Sequence, residues 1–334
     1  MTKTDARSSL RDGRQGRAVR SKVRLGALAS GVFDLRRRSA DGLRQRLNFW
    51  GEHSFVDRSA GHERVLVLLA GYKPYLWQFT LKRIERFLED GIDVCVVSPG
   101  MHSQHLDDVA RANEWSLLTT KANSVSLGQN LAIAKHPRAR YVYKLDEDVF
   151  VARGFFGDLL RGLIAVKEEG SYSPGFCAPV LNVNGYSYVN FLETMSLTED
   201  YQRCFGELRR AGGGVRAHYD GKAAAWLWSK SLPLDEVAER FSSREFAYSV
   251  VPHHFNIGAL VYERDLWEAM GGFKVTLPYG IIGGDEKNIC MKCVELSRVM
   301  VVAHNVFVGH FAFGPQEEMM RESLPSLEPG LALA

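Results

Sequence analysis

Missing from this sequence is any apolar run approaching the ~20 residues that a membrane-spanning helix needs. The nearest, Leu25 to Phe33, is short and holds Gly26, Ser30 and Gly31. A basic stretch precedes it, as in a secretory signal, but Arg36, Arg37 and Arg38 follow at once and argue against one. Cysteine is sparse. Five, at irregular positions, do not make a disulfide framework, so a reducing compartment is expected. Cys290 and Cys293 form a single C-x-x-C with no second half, and read as two helix residues rather than a zinc or redox site. Charge of one sign is lacking too: a net formal charge of +3 removes nucleic acid as an expected partner. Neither a G-x-G-x-x-G turn nor a Walker loop stands where a strand meets a helix, which counts against dinucleotide oxidoreductases and P-loop enzymes.

What is present is an ordinary globular composition over 334 residues, enough for one large α/β domain or two modest ones. The segment up to about Arg58 stands apart as Arg- and Ser-rich. Leu28, Val32, Leu35, Leu43, Leu47 and Trp50 are interleaved with arginines there, which fits a basic amphipathic helix on an anionic membrane surface. A solvated arm docking a few apolar residues is the preferred reading. From Arg64 the chain turns regular. Val65 to Ala70 is a strand, Gly71 permits a tight loop, Pro74 opens a helix and Gly91 closes it. Leu76, Phe79, Ile84, Phe87 and Leu88 share one face of that helix. Ile92 to Val97 is a second buried strand, completing a right-handed parallel β-α-β unit. Helices are expected near Asp107 to Glu114, from Leu127 to Lys135, and from Arg153 to Glu169.

The most informative stretch is Tyr141-Val-Tyr-Lys-Leu-Asp-Glu-Asp-Val-Phe150, an apolar strand ending in three acids. Such a run belongs inside a parallel sheet, and ligands of open α/β sheets sit beyond the carboxyl ends of the strands. On an extended chain Asp146 and Asp148 project to one side and Glu147 to the other. Two hard carboxylates at that edge suit Mg²⁺ or Mn²⁺ carrying a diphosphate.

Five pieces then occur in order between about Arg64 and Gly314: VLVLLAGYKPY, SLGQNLAIAKHPRARYVYKLDEDVFV, FNIGALVYERDLWEAMGGF, GGDEKNIC and VFVGHFAFG. Together they resemble glycosyltransferases of the GT-A fold, most nearly the inverting family 2. The resemblance implies a nucleotide-diphospho-sugar transferase-like α/β domain over 61–314, its mostly parallel sheet covered by helices on both faces. Residues 1–60 are then a basic extension, 182–241 an acceptor-side insert and 315–334 a tail. It implies nucleotide and donor contacts at Gly71, Tyr72, Lys73, Gly128, Asn130, Asp146, Asn256 and Gly258. Asp146 and Asp148 match the D-x-D that binds a metal-bound diphosphate, and His310 matches a late metal or phosphate ligand, with His253 and His254 as weaker candidates. Asp285 and Glu286 match the acidic pair supplying the catalytic base, but in reversed order, so the base is either one. The second strand ends in Ser98, where the family often has an aspartate.

The expected activity is transfer of a sugar from a nucleotide diphosphate, UDP ahead of GDP, to a glycan or glycolipid hydroxyl in surface polysaccharide synthesis. Mn²⁺ or Mg²⁺ is the expected cofactor. The expected location is cytoplasmic, with contact to the inner membrane face through the basic segment. A nucleotidyltransferase and a catalytically silent sugar- or nucleotide-binding protein are the alternatives. Tyr186, Tyr188, Tyr201, Tyr219, Trp226 and Trp228 are candidates for stacking on sugar rings or for packing the insert. Gly212 to Gly214 read as a mobile lid.

Overall fold

The computed structural model describes residues 47–212, 214–255, 257–276, 284–312 and 314–333. The basic stretch up to residue 46 lies outside them, as do Gly213, Asn256 and Gly283. The described chain begins β1 (His53–Val56), β2 (Arg64–Leu69), α1 (Trp77–Phe87), β3 (Ile92–Pro99), α2 (Gln104–Ala112) and β4 (Ser116–Thr120). It continues α3 (Val125–Lys135), β5 (Tyr141–Asp146), β6 (Val149–Phe150), α4 (Phe155–Glu169) and β7 (Pro174–Leu181). Then come α5 (Tyr188–Met195), α6 (Thr198–Phe205), α7 (Arg216–Tyr219), α8 (Gly221–Ser229) and α9 (Leu234–Ser242). Last are β8 (Tyr248–Val251), β9 (Ala259–Glu263), α10 (Arg264–Met270), α11 (Gly284–Glu295), β10 (Val299–His310) and α12 (Glu317–Leu331).

Strand alternation dictates the layers. In β2, Val65, Val67 and Leu69 pack into one core with Leu127 and Leu131 of α3, while Leu66 and Leu68 pack into another. That second core takes Trp77, Leu81 and Ile84 of α1, Leu106 of α2 and Leu159 and Leu163 of α4. A strand apolar on both faces needs helices on both sides, and this one has them. The sheet has ten strands in the order β1-β4-β3-β2-β5-β9-β7-β10-β6, with β8 on β10. β2, β3, β4, β5, β7 and β10 run one way, so the expected α/β fold with a mostly parallel sheet is what forms. β5 differs in one respect. It pairs parallel with β2 but antiparallel with β9, since burial on both faces leaves a neighbour's direction unspecified.

Helix starts are set by caps that precede the apolar pattern. Ser103 and Ser124 accept from the backbone N–H of Leu106 and Leu127, so α2 and α3 begin earlier than the apolar spacing alone indicates. Beyond residue 314, α12 turns Met320, Leu324, Leu327 and Leu331 into the core. The fully buried Arg83 fastens its end, donating to the carbonyl of Leu331 at 2.9 Å and to both carboxylate oxygens of Asp235 at 2.7 and 3.1 Å.

The aromatic middle of the chain is mostly packing. Tyr188, Tyr201 and Trp228 are at most 1% exposed, so they do not present faces to a sugar. Trp228 donates to the carbonyls of His310 and Phe311 at 2.9 and 3.1 Å, fixing the end of β10. Gly309 makes this possible, because a Cβ there would lie 2.4 Å from the Trp228 ring. Tyr219, at 44%, is the exposed one.

Candidate active site

A cavity of about 900 Å³ opens beyond the carboxyl ends of β2 and β5, lined by Tyr72, Lys73, Lys144, Asp146, Asp148, Asp285, Glu286 and His310 among others. Its first wall is built by Glu147, the acid that alternation turns away from its two neighbours. Its carboxylate accepts from the backbone N–H groups of Gly71, Tyr72 and Lys73 at 3.0, 2.6 and 3.0 Å, and from the Trp77 indole. The loop after β2 is thereby tied to the acidic turn after β5. Gly71 has φ +142°, and a Cβ there would lie 2.7 Å from Met101 Sδ, so this tie needs glycine. Tyr72 is half-exposed at the cavity wall, its hydroxyl 2.6 Å from Asn123 Oδ1. Replacing Glu147 with glutamine should cost about 2 kcal/mol of charge-assisted hydrogen bonding. Urea unfolding reads this, and an unchanged midpoint would show that the loop is held by something else.

Lysines sit on both D-x-D carboxylates. Lys144 is buried on the same side of β5 as Asp146 and donates to its Oδ2 at 2.8 Å and to the Ile257 carbonyl at 2.9 Å, with Glu286 Oε1 at 3.7 Å. Burial alone would lower the Lys144 ammonium, yet Asp146, Asp285 and Glu286 hold it above its ordinary value. Lys73 pairs with Asp148 and with the Ala312 carbonyl. Desolvation opposes the Asp148 carboxylate, but Lys73 and His310 outweigh it and keep its pKa below the ordinary range.

His310 ends β10 with its ring Nδ1 2.7 Å from the Val183 carbonyl and its backbone N–H on Asn182 Oδ1 at 2.8 Å. A carbonyl only accepts, so Nδ1 carries the proton in the neutral ring, and Nε2 lies 3.6 Å from Asp148 Oδ2. Burial holds the imidazole below its ordinary pKa, in the neutral form that ligates metals. The Asp148 carboxylate, the His310 imidazole and the partly exposed Asp146 nearby are donor types that suit a divalent ion. Among the described residues no group of three or more His, Cys, Asp or Glu is disposed to hold an ion alone. An ion held by these residues would have to draw the rest of its shell from oxygens of a ligand or of water.

The acidic pair at the start of α11 is held from two sides. Asp285 Oδ2 accepts from Gln129 Nε2 at 2.8 Å, and Glu286 Oε1 accepts from the Ile257 N–H at 2.8 Å. Burial raises the Glu286 pKa above its ordinary value, against the pull of Lys144. Glu147, Lys144 and Gln129 are positioning residues that the motif comparison passes over. For Lys144 a signal existed: a lysine inside an apolar strand, two residues from Asp146.

Three residues expected at the nucleotide lie in packing positions instead. Gly128 brings α3 against β3, where a Cβ would meet Val97 Cγ1 at 2.6 Å. Asn130 is fully buried, donating to the carbonyls of Asn48 and Phe273 at 2.9 and 2.8 Å and accepting from Trp267 Nε1 and the Phe273 N–H. These bonds spend its amide on the core and turn it away from the cavity. Gly258 takes the Asp146 N–H on its carbonyl at 2.9 Å, and a Cβ there would lie 3.2 Å from the His310 ring. Lacking a side chain, it lets the chain before β9 pass close to Val149 and His310. Asn256 lies outside the described residues.

No protein-family model matches the sequence, and no curated protein does. Solved structures similar in fold include the mannosyltransferase PcManGT from Pyrobaculum calidifontis in complex with GDP-Man and Mn²⁺. It is 14% identical, over 86% of this chain and 79% of that one, with a TM-score of 0.43. GalNAc-T7 with UDP, GalNAc and Mn²⁺ is 14% identical at a TM-score of 0.46, over 76% of this chain and 44% of that one. Glucosyl-3-phosphoglycerate synthase from Mycobacterium tuberculosis, in complex with Mn²⁺, UDP and phosphoglyceric acid, is 12% identical at 0.42, over 83% and 81%. Likeness this distant speaks to neither substrate nor mechanism, which rest on the residues of the cavity.

Proposed function

We propose that this chain is a metal-dependent glycosyltransferase. It moves a sugar, with inversion, from a nucleotide diphosphate to a hydroxyl of a glycan or glycolipid in surface polysaccharide synthesis. The observation that carries the reading is the meeting of a metal-ligand set and an acid pair in one cavity. Asp146, Asp148 and His310 lie at the strand ends, and Asp285 and Glu286 lie at the start of α11. Asp146, Asp148 and His310 would hold Mn²⁺ or Mg²⁺. When bound, the ion neutralises charge on the diphosphate leaving group without proton transfer.

The remaining work falls to the chain itself. Lys73, fixed beside Asp148, adds a second positive charge next to the phosphates, and Tyr72 offers a ring to the base. Asp285 or Glu286 takes the proton from the attacking hydroxyl. The raised carboxyl of Glu286 suits that task, since proton transfer is most effective when the base's pKa lies near working pH. The same proposal places the protein in the cytoplasm, with the basic stretch before residue 47 touching the inner membrane face. No helix among the described residues is long and apolar enough to cross a membrane.

A second reading, a sugar-nucleotide-binding protein without turnover, draws on Lys73 and Lys144 already neutralising both aspartates. Calorimetric titration of UDP, GDP and their sugar conjugates, with and without Mn²⁺, tests the first reading. Manganese-dependent binding of one diphosphate is expected, weakened at least about 100-fold in Asp148→Asn. Binding without metal dependence, and without sugar release to any acceptor, would favour the second reading.

A further inference from the structure

The cavity has another wall that none of these roles uses. Arg210 follows α6, His218 lies in α7, His253 and His254 precede β9, and Lys287 follows the acidic pair in α11; all five line the same cavity. Four separate stretches of chain thus bring basic side chains to one place.

The wall is ordered. Arg210 lies over the Tyr186 ring at 5.3 Å, donating to Asn190 Oδ1 at 3.0 Å and to both Glu193 oxygens at 3.0 and 3.2 Å. Tyr186 in turn meets His253 edge-on at 5.6 Å and Phe255 at 5.7 Å. His218 packs on Gly185, where a Cβ would lie 3.0 Å from its Nδ1. These groups also feel one another. Burial, then Lys287 and His253, hold the His254 imidazole below its ordinary pKa, and burial, then His254 and His310, do so for His218. Arg210 has Glu193 on one side, and Lys287 and the imidazoles bring further cationic and hydrogen-bonding groups to the same cavity, a surrounding that favours an anion.

We propose that this basic wall binds a phosphate or carboxylate carried by a sugar, a second anion besides the diphosphate of the donor. The proposal rests on the glycosyltransferase reading and names the substrate class for that site. The donor's diphosphate would have its own partners, Lys73 and an ion held by Asp146 and Asp148, on elements that contribute nothing to this wall. A cavity of about 900 Å³ is at the upper end for ligand sites and has room for both ligands. It also carries Asp146, Asp148, Asp285 and Glu286, which would repel a charged sugar unless cations offset them locally.

The test titrates glucose 6-phosphate and glucuronate into the full chain by calorimetry, alone and with saturating UDP and Mg²⁺. Binding of at least one is expected, undiminished by UDP. It should weaken by about tenfold or more in Arg210→Gln/Lys287→Gln, with UDP affinity unchanged. Lys287 is exposed and Arg210 half-buried, and a thermal melt checks that the variant folds. Comparing UDP-glucuronate with UDP-glucose separates the sources. If the double variant weakens only UDP-glucuronate, the anion rides on the donor sugar. If it weakens neither, but does weaken the binding of glucose 6-phosphate beside UDP, the anion belongs to the acceptor. No binding of either anionic sugar, binding indifferent to the variant, or displacement by UDP overturns the proposal. Failure to bind any nucleotide would instead remove the glycosyltransferase reading, and the anionic-sugar titration would still decide the wall.

Discussion

With Asp285 and Glu286 both changed to amides, sugar transfer should fall by about 10²–10⁴-fold while nucleotide binding survives. The expectation follows from what each carboxylate touches. Asp285 is held by Gln129 and Glu286 by the Ile257 N–H, so both can be replaced by near-isosteric amides with little movement of α11. Neither pairs with Lys73, and neither touches Asp148, so the diphosphate end of the cavity should be intact. Single variants should differ. Glu286→Gln removes one of the two carboxylates beside Lys144, whereas Asp285→Asn leaves that ammonium its nearer partners. Single-turnover transfer and calorimetry on the same preparations read the outcome. Loss of nucleotide binding together with transfer would mean that the pair belongs to the donor site and supplies no base.

The sheet was legible because its strands are apolar on both faces, a pattern with few other homes. β2, β3 and β5 lie where the runs of Val, Leu and Ile place them. The acidic end of β5 was legible for the same reason: strand alternation alone separates Glu147 from Asp146 and Asp148. What alternation cannot supply is a partner. Glu147 bonds to a loop some 75 residues earlier, and Asp285 to a glutamine 156 residues earlier. Periodicity gives a side chain's face but says nothing of what another segment brings to it. The same gap explains Asn130, whose motif position was legible but whose amide turned out to brace Phe273 and Asn48. It also explains Trp228, which an aromatic-rich segment marks equally well as a sugar platform or as core.

Lys144→Met should be the most destabilising single change in the site, costing about 3–5 kcal/mol. The side chain is 5% exposed, and its ammonium lies between Asp146 at 2.8 Å and Glu286 at 3.7 Å. Removing the cation leaves the partly exposed Asp146 and the largely buried Glu286 facing each other with nothing between them. A methionine fills the volume without meeting either, so the loss reports charge and not a cavity. At about 2–4 °C per kcal/mol, the melting temperature should drop by roughly 10 °C. Lys144→Arg keeps the charge but carries it on a wider, planar group, and should fall between the two. The decisive comparison adds Asp146→Asn to Lys144→Met. If the ammonium's main task is to hold Asp146, the double variant should recover part of the stability lost by the single one. No recovery would assign the stabilisation to Glu286 and the Ile257 carbonyl instead. An unchanged melting temperature in Lys144→Met would mean that the two carboxylates do not need the lysine. The link it makes between the D-x-D and the acidic pair would then be incidental.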